Sequence, residues 1–168
     1  MADARGHGMS GGDYVGMGFK DRDDYIGRLN RIVTAVGDDA QNLLHGISMG
    51  SSTALMLSAN DPLPSQVRAV IDNCGYTSVN DEISYQVHNV AHVPAFIPAV
   101  AVASLETKLT AGYWFGDADA LAAAEKTKLP VFVVHGDADT YNPTWMGKKI
   151  CAAVTSSPKR FRSGCWAR

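Results

Sequence analysis

The sequence is short of cysteine, and this shortage excludes two classes of protein. Cysteine occurs at Cys74, Cys151 and Cys165 in 168 residues, and no two of these form a C-x-x-C pair. An odd number at this spacing argues against a disulfide framework and against a cysteine zinc site, and it is typical of a reducing compartment. We therefore predict a cytoplasmic protein without a bound metal.

Long apolar runs are also missing. The longest, from Val93 to Leu105, falls short of the about 20 residues that a transmembrane helix needs, and Pro94 and Pro98 interrupt it. Residues Met1 to Gly8 carry charge and glycine instead of the apolar core of a signal peptide. We therefore expect no membrane partner.

Net charge is the third quantity that is small. The 15 basic and 17 acidic residues leave a net charge of −2, which gives no sign of a nucleic-acid partner. Apolar residues make up 46% of the chain and charged residues 19%, so the chain is globular. Its length of 168 residues predicts one domain, 1–168.

Short apolar runs alternate with helical patterns along most of the chain. The predicted strands are residues 41–47, 67–71 and 129–134. The predicted helices are residues 19–36, 49–59, 118–126 and 143–154. This alternation predicts an α/β fold, in which helices pack on a parallel sheet.

Residues 78–115 differ in character and predict a small helical cap insertion. Ser78 with Asp81 or Glu82 is typical of a helix start, and two prolines break the middle of the segment. Its apolar side chains suit either a pocket roof for an acyl or aromatic group or ordinary packing on the sheet. They are Tyr85, Val87, Phe96, Ile97, Tyr113, Trp114 and Phe115.

The stretch from Leu43 to Ser52 carries the clearest chemical signal. It reads G-x-S-x-G at Gly46, Ser48 and Gly50, after an apolar strand-like segment and before a run of small and apolar residues. A nucleophile elbow needs a strand, a sharp turn and a helix in this order, and glycine suits a strained turn. We predict that Ser48 is a catalytic nucleophile; a helix-capping serine is the alternative.

Two further loops are expected beside Ser48, because ligands collect at the carboxyl ends of parallel strands. Asp72–Tyr76 follows the second predicted strand, and Asp137–Asp139 follows the third. A serine nucleophile needs a base and an acid that orients the base. Asp137 and Asp139 are both candidates for that acid.

Four segments resemble motifs of the α/β-hydrolase superfamily, in the order they have there. Residues 3–11 are similar to D-x-R-G-H-G-x-S, and residues 45–50 match the elbow. Residues 73–78 resemble D-C-G-Y-T-S with Asn73 in place of the usual aspartate, and residues 135–143 are similar to H-G-x-x-D-x-x-V-P. The resemblance is greatest to bacterial serine hydrolases related to prolyl-oligopeptidase-like peptidases, esterases and lipases.

This resemblance implies a partial α/β-hydrolase fold and a serine hydrolase that cleaves an ester or amide bond of a small molecule through an acyl-serine intermediate. It assigns the triad acid to Asp139, and Asp137 is then a turn residue. The backbone N–H of Met49 becomes an oxyanion-hole donor. No cofactor is implied.

The five histidines do not supply the base that the resemblance requires. Three lie in segments where a structural role is expected, namely His7, His45 and His135. His88 and His92 are four residues apart, a spacing that allows a metal pair, although a pair facing the lid is the favoured interpretation. A lesser alternative is that one of these two reaches Ser48.

The family's base follows the acid in a loop after one more strand, but no histidine follows His135. Residues 156–168 show neither a strand period nor a helix period, so we expect an atypical tail and no strand there. We therefore expect a chain that is truncated at both ends, lacks its base and exposes a sheet edge beside residues 43–47. The alternative function is a catalytically inactive fragment or a non-catalytic binding remnant.

Overall fold

The structure, a computed structural model, describes residues 3–94, 97–156 and 158–164. Its centre is a sheet of four parallel strands in the order β1-β2-β3-β4. The strands are β1 Asn42–Ile47, β2 Val67–Asn73, β3 Val131–Gly136 and β4 Lys159–Gly164. The predicted parallel sheet with flanking helices is therefore confirmed.

Among the described residues, one α-helix precedes β1 and five more connect successive strands. They are α1 Asp21–Val36, α2 Met49–Ser58, α3 Val79–Tyr85, α4 Ala99–Ala111, α5 Ala120–Lys126 and α6 Thr144–Ala153. A π-helical turn, Gln86–Val90, continues α3, and a 3-10 turn, Phe115–Asp117, precedes α5.

The core forms where the helices meet the two central strands. Val70 of β2 and Val133 of β3 are each 1% exposed, and β-branched side chains suit strands that are covered on both faces. Helix α2 is buried at every position from 51 to 58, which explains why its sequence holds small and apolar residues without a polar face. Each fully buried valine or leucine contributes roughly 1.5–3 kcal/mol. This packing fixes the end of β1 and the start of α2.

Strand β1 lies at an edge of the sheet within the described part of the chain. Leu44 and Gly46 face the core, whereas Leu43 and Ile47 are 55% and 64% exposed. The exposed edge beside residues 43–47 is therefore observed. Apolar side chains on an unpaired edge favour association with other chains.

The expectation that no strand follows residue 155 is wrong, because Lys159–Gly164 forms β4. Its six residues pair in parallel with β3 from Val131↔Lys159 to Gly136↔Gly164. An outer strand is held by its backbone pairing, and here only Phe161 packs against the core, so no apolar alternation is needed. Ser157 and residues 165–168 of the predicted tail, with Cys165, lie outside the described residues.

The segment predicted as a cap is helical, and its start is the predicted one. Ser78 Oγ accepts a hydrogen bond from the backbone N–H of Asp81 at 3.0 Å, which is an N-cap of α3. Tyr113 and Phe115 are 1% and 6% exposed and belong to the core, so they serve packing. Phe96 lies outside the described residues.

Several other apolar side chains of this segment are exposed, and they lie mainly on α4 and before it: Val90, Ile97, Val102, Leu105, Leu109 and Trp114. Across the described ranges, no helix combines the length and the apolar character that crossing a bilayer requires.

Candidate active site

Ser48 lies between the last residue of β1 and the first residue of α2, in a strained backbone conformation. Its φ is +53° and its ψ is −121°, a region that residues other than glycine rarely occupy. The Ser48 N–H donates to the carbonyl of Asn73 at 2.9 Å, which ties the turn to the end of β2. Ser48 occupies the N-cap position of α2, but its side chain makes no capping hydrogen bond, so the side chain does not serve as a helix cap.

The two glycines that flank Ser48 have different physical roles. A Cβ atom at Gly46 would collide with the backbone of Gly50 and Ser51, whereas a Cβ atom at Gly50 would meet no atom within 4 Å. Gly46 is therefore required by the close approach of β1 to the start of α2. Packing imposes no such requirement on Gly50.

Met49, the predicted oxyanion-hole donor, is the first residue of α2. The first four N–H groups of an α-helix have no acceptor within the helix. The N–H of Met49 is one of these groups and immediately follows Ser48. Its role in binding an oxyanion stays a prediction.

Asp139 lies in the loop after β3, and its carboxylate is held by backbone donors. Its Oδ1 atom accepts hydrogen bonds from the N–H groups of Tyr141 and Asn142, each at 3.0 Å. Its Oδ2 atom is 3.8 Å from Nε2 of His135. Asp137 is exposed, as expected of a turn residue. This geometry favours Asp139 over Asp137 as the acid, although its catalytic role stays a prediction.

Asn142 connects the loops that follow β1, β2 and β3. It is 2% exposed, and its Nδ2 atom donates to Ser48 Oγ at 3.2 Å and to the carbonyl of Cys74 at 2.6 Å. The sequence-based interpretation missed this contact with Ser48. The available signal was the asparagine at the place where the motif H-G-x-x-D-x-x-V-P has valine.

The described histidines do not act on Ser48. His135 is fully buried, and its Nε2 atom lies 2.7 Å from the carbonyl of Asn142, so its role is structural as expected. His88 Nδ1 lies 3.1 Å from the carbonyl of Val93. His92 has a φ of +54° and follows the end of the π-helical turn, so it does not share a helix face with His88. Among the described residues, no histidine makes a hydrogen bond to Ser48 Oγ.

Cys74, His135 and Asp139 meet beside this loop, with ligand atoms that all lie within 4.8 Å of one another. The spacing of the cysteines was the ground for expecting no metal site. Such spacing carries no information about residues that are distant in the chain and meet only in the fold. A carbonyl can only accept, so Nε2 of His135 carries its hydrogen toward Asn142 and is not free to coordinate. Burial and Asp139 both raise the pKa of the Cys74 thiol, which opposes formation of a thiolate ligand.

A buried carboxyl group stabilises the first turn of α2, next to Ser48. Asp72, at the end of β2, is fully buried and accepts hydrogen bonds from Ser51 Oγ and from the N–H of Gly75. Burial raises the pKa of Asp72 to about 6, against the smaller opposing effects of the Ser51 hydrogen bond, His135 and the Gly75 hydrogen bond.

Ser52 makes a second link between α2 and the loop after β2. Its Oγ atom donates to the carbonyl of Tyr76 and accepts from the N–H of Tyr76, both at 2.9 Å. Together with the Ser51–Asp72 hydrogen bond, this pair fixes the first turn of α2, which positions Ser48.

A curated bacterial protein is similar in sequence to most of this chain. No protein-family model matches the chain. The chain is 30% identical over 145 residues to the uncharacterized protein YqkD of Bacillus subtilis. The match covers 84% of this chain and 46% of that protein, so the chain spans about half the length of the relative.

Solved structures give a clear likeness of fold. An esterase of Pyrococcus furiosus matches with a TM-score of 0.70 and 16% identity, over 98% of this chain and 59% of that one. A lipase-esterase related protein of Clostridium acetobutylicum matches with a TM-score of 0.62 and 18% identity, over 96% and 72%. The acylaminoacyl peptidase of Pyrococcus horikoshii matches with a TM-score of 0.61 and 16% identity, over 90% and 24%. The predicted partial α/β-hydrolase fold is therefore confirmed.

Proposed function

We propose that this chain, whose fold is that of the α/β hydrolases, carries the nucleophile and the acid of a serine hydrolase. Ser48 is the nucleophile, Asp139 is the acid, and the N–H of Met49 is one oxyanion-hole donor. The substrate is a small molecule with an ester or amide bond. The narrower likeness to prolyl-oligopeptidase-like enzymes is also a proposal, and it is supported by the four sequence motifs.

The observation that carries this proposal is the backbone conformation of Ser48. A non-glycine residue with φ of +53° is costly, by about 1–3 kcal/mol, and such strain persists at sites where it aims a side chain. The same turn requires glycine at position 46, where no Cβ atom fits. It is stabilised by the side-chain hydrogen bonds of Ser51 and Ser52. This is the geometry that an exposed serine nucleophile between a strand and a helix requires.

The reaction that follows is acyl transfer in two steps. Ser48 Oγ forms a bond to the carbonyl carbon of the substrate, the bond from that carbon to the leaving oxygen or nitrogen breaks, and the serine proton passes through a base to the leaving group. Water then cleaves the acyl-serine. The Met49 N–H stabilises the negative oxygen in each step.

The substrate class is proposed from the cap segment, residues 78–115. Its exposed apolar side chains, among them Ile97 and Trp114, suit an apolar acyl or aromatic group.

A non-catalytic binding protein is the second candidate, and the Asn142 contact favours it. The amide of Asn142 donates to Ser48 Oγ, but an amide cannot take the serine proton. Loss of the base from a serine triad costs about 10⁶-fold in kcat. A chain that relies on water as the base would therefore turn over substrate very slowly.

Labelling with a fluorophosphonate probe tests the proposal, because the probe reports a nucleophilic serine directly. We expect slow labelling of a peptide containing Ser48, loss of it in Ser48→Ala, and no change in Ser65→Ala, which alters an exposed serine. Hydrolysis of p-nitrophenyl butyrate is measured on the same samples. If the unaltered protein is neither labelled nor active, the non-catalytic candidate is favoured.

A further inference from the structure

A cavity of about 500 Å³ lies between the loop of residues 5–14 and helix α1, and none of its lining residues belongs to the surroundings of Ser48. Its walls hold three arginines, one aspartate, one tyrosine and loop residues 10–12. The charged and hydroxyl-bearing residues are Arg5, Arg28, Arg31, Asp24, Tyr14 and Ser10.

The only carboxylate in this lining is already used. Arg5 donates to both oxygens of Asp24, from Nε at 2.8 Å and from Nη2 at 2.7 Å. Arg5 also donates from Nη1 to the hydroxyl of Tyr14 at 2.9 Å. Asp24 therefore neutralises Arg5, and the Tyr14 hydroxyl, which accepts from Arg5, keeps its own proton for another acceptor.

Arg28 is held in place without a carboxylate. Its guanidinium lies over the ring of Tyr25, 5.2 Å from the centroid, and its Nη2 atom donates to Ser10 Oγ at 3.3 Å. Its Nη1 atom is buried and has no hydrogen-bond partner within the described residues. A buried donor without an acceptor costs about 1–3 kcal/mol, which a ligand that supplies an acceptor would recover.

Arg31 is three residues further along α1, and a separation of three places two helical side chains on neighbouring positions of one face. Within the described part of the chain, neither Arg28 nor Arg31 has a carboxylate at salt-bridge distance. The lining therefore presents two positive charges that no residue of the cavity balances.

We propose that this cavity binds a phosphate monoester through Arg28, Arg31 and the hydroxyl of Tyr14. Two uncompensated guanidinium groups match a dianion, whereas a carboxylate would neutralise only one of them. The volume of about 500 Å³ exceeds what a phosphate group fills, and it is within the range for sites of small organic ligands. The ligand is therefore a small molecule that carries a phosphate group.

Isothermal titration calorimetry at constant ionic strength tests this site. The probes are inorganic phosphate, phenyl phosphate and benzoate. We expect phenyl phosphate to bind more tightly than inorganic phosphate and at least tenfold more tightly than benzoate. Its Kd should rise at least tenfold in Arg28→Gln and in Arg31→Gln, and it should not change in Arg160→Gln, a matched variant of an exposed arginine on β4. Ser48→Ala should bind it as the unaltered protein does.

Arg31→Gln keeps the test decisive if Arg28→Gln disturbs the fold, because the described structure shows Arg31 as an exposed side chain. Circular dichroism establishes that each variant is folded. Absence of binding by both phosphate probes would overturn the proposal. So would equal affinity for benzoate, or an affinity for phenyl phosphate that Arg31→Gln leaves unchanged.

Discussion

The side-chain amide of Asn142 donates a hydrogen bond to Ser48 Oγ at 3.2 Å, although the two residues are 94 positions apart. The backbone N–H of Asn142 donates to Asp139 Oδ1, so one asparagine joins the proposed acid to the proposed nucleophile. In a serine triad this linking position belongs to a histidine ring. An amide holds the serine oxygen in place but does not accept its proton.

Removing this amide should open room for an external base. In Asn142→Ala, imidazole in solution should accelerate fluorophosphonate labelling of Ser48. A free base recovers only part of the about 10²- to 10⁴-fold contribution of a positioned one, so we expect an increase on the order of tenfold. The measurement is the labelling rate against imidazole concentration.

The double variant Ser48→Ala, Asn142→Ala controls for labelling elsewhere and should show no increase. An equal response to imidazole in the unaltered protein would show that the amide does not block access to Ser48.

The two glycines of the elbow should respond oppositely to alanine. Gly46→Ala places a Cβ in the backbone of Gly50 and Ser51, and overpacking of this kind costs about 1–3 kcal/mol or more. Gly50→Ala has open space in a helix and should gain about 0.5–1 kcal/mol from helix propensity. Urea unfolding of both variants measures the difference. Equal stability of the two would contradict the close approach of β1 to α2.

The stability of the protein should depend on the ionisation of Asp72. The pKa of Asp72 is about 6 in the folded state, whereas its ordinary value is 3.8. At a pH between these two values, the folded chain therefore holds more protons than the unfolded chain. By linkage, the free energy of unfolding falls as pH rises through this window. The loss attributable to Asp72 is about 2 kcal/mol between about pH 4 and pH 7.

Urea unfolding of Asp72→Asn against the unaltered protein at both pH values measures this loss. The amide cannot ionise, so the variant should gain relative stability as pH rises, whereas Asp38→Asn, at an exposed loop position, should not. A stability difference that is constant with pH would mean that Asp72 titrates at its ordinary value.

Strand β4 should depend on one side chain. Phe161 is half-buried against the core, so Phe161→Ala should cost about 1–2 kcal/mol of unfolding free energy. Arg160→Ala, an exposed neighbour on the same strand, should stay within about 0.5 kcal/mol of the unaltered protein. Urea unfolding gives both values. If neither change matters, β4 contributes little to the folded core.

Local patterns in the chain predicted most of the fold. Apolar runs and helical spacing placed β1, β2 and β3 and the flanking helices, because periodic burial is written into neighbouring residues. The glycines at 46 and 50 and the small residues after them located the turn at Ser48. The order of the motifs indicated the fold and singled out Asp139 from Asp137.

Contacts between distant residues were beyond such patterns. Strand β4 has no apolar period, since pairing with β3 and the single side chain of Phe161 hold it in place. The hydrogen bond from Ser51 to Asp72 and the meeting of Asn142 with Ser48 join residues 21 and 94 positions apart. Polar contacts of this kind depend on how the strand ends align across the sheet, which periodicity along one segment does not encode. The sequence by itself therefore determined the residue types of the turn at Ser48. The hydrogen-bond partner of Ser48 Oγ was decided only by the tertiary structure, because the alignment of the strand ends brings Asn142 to it.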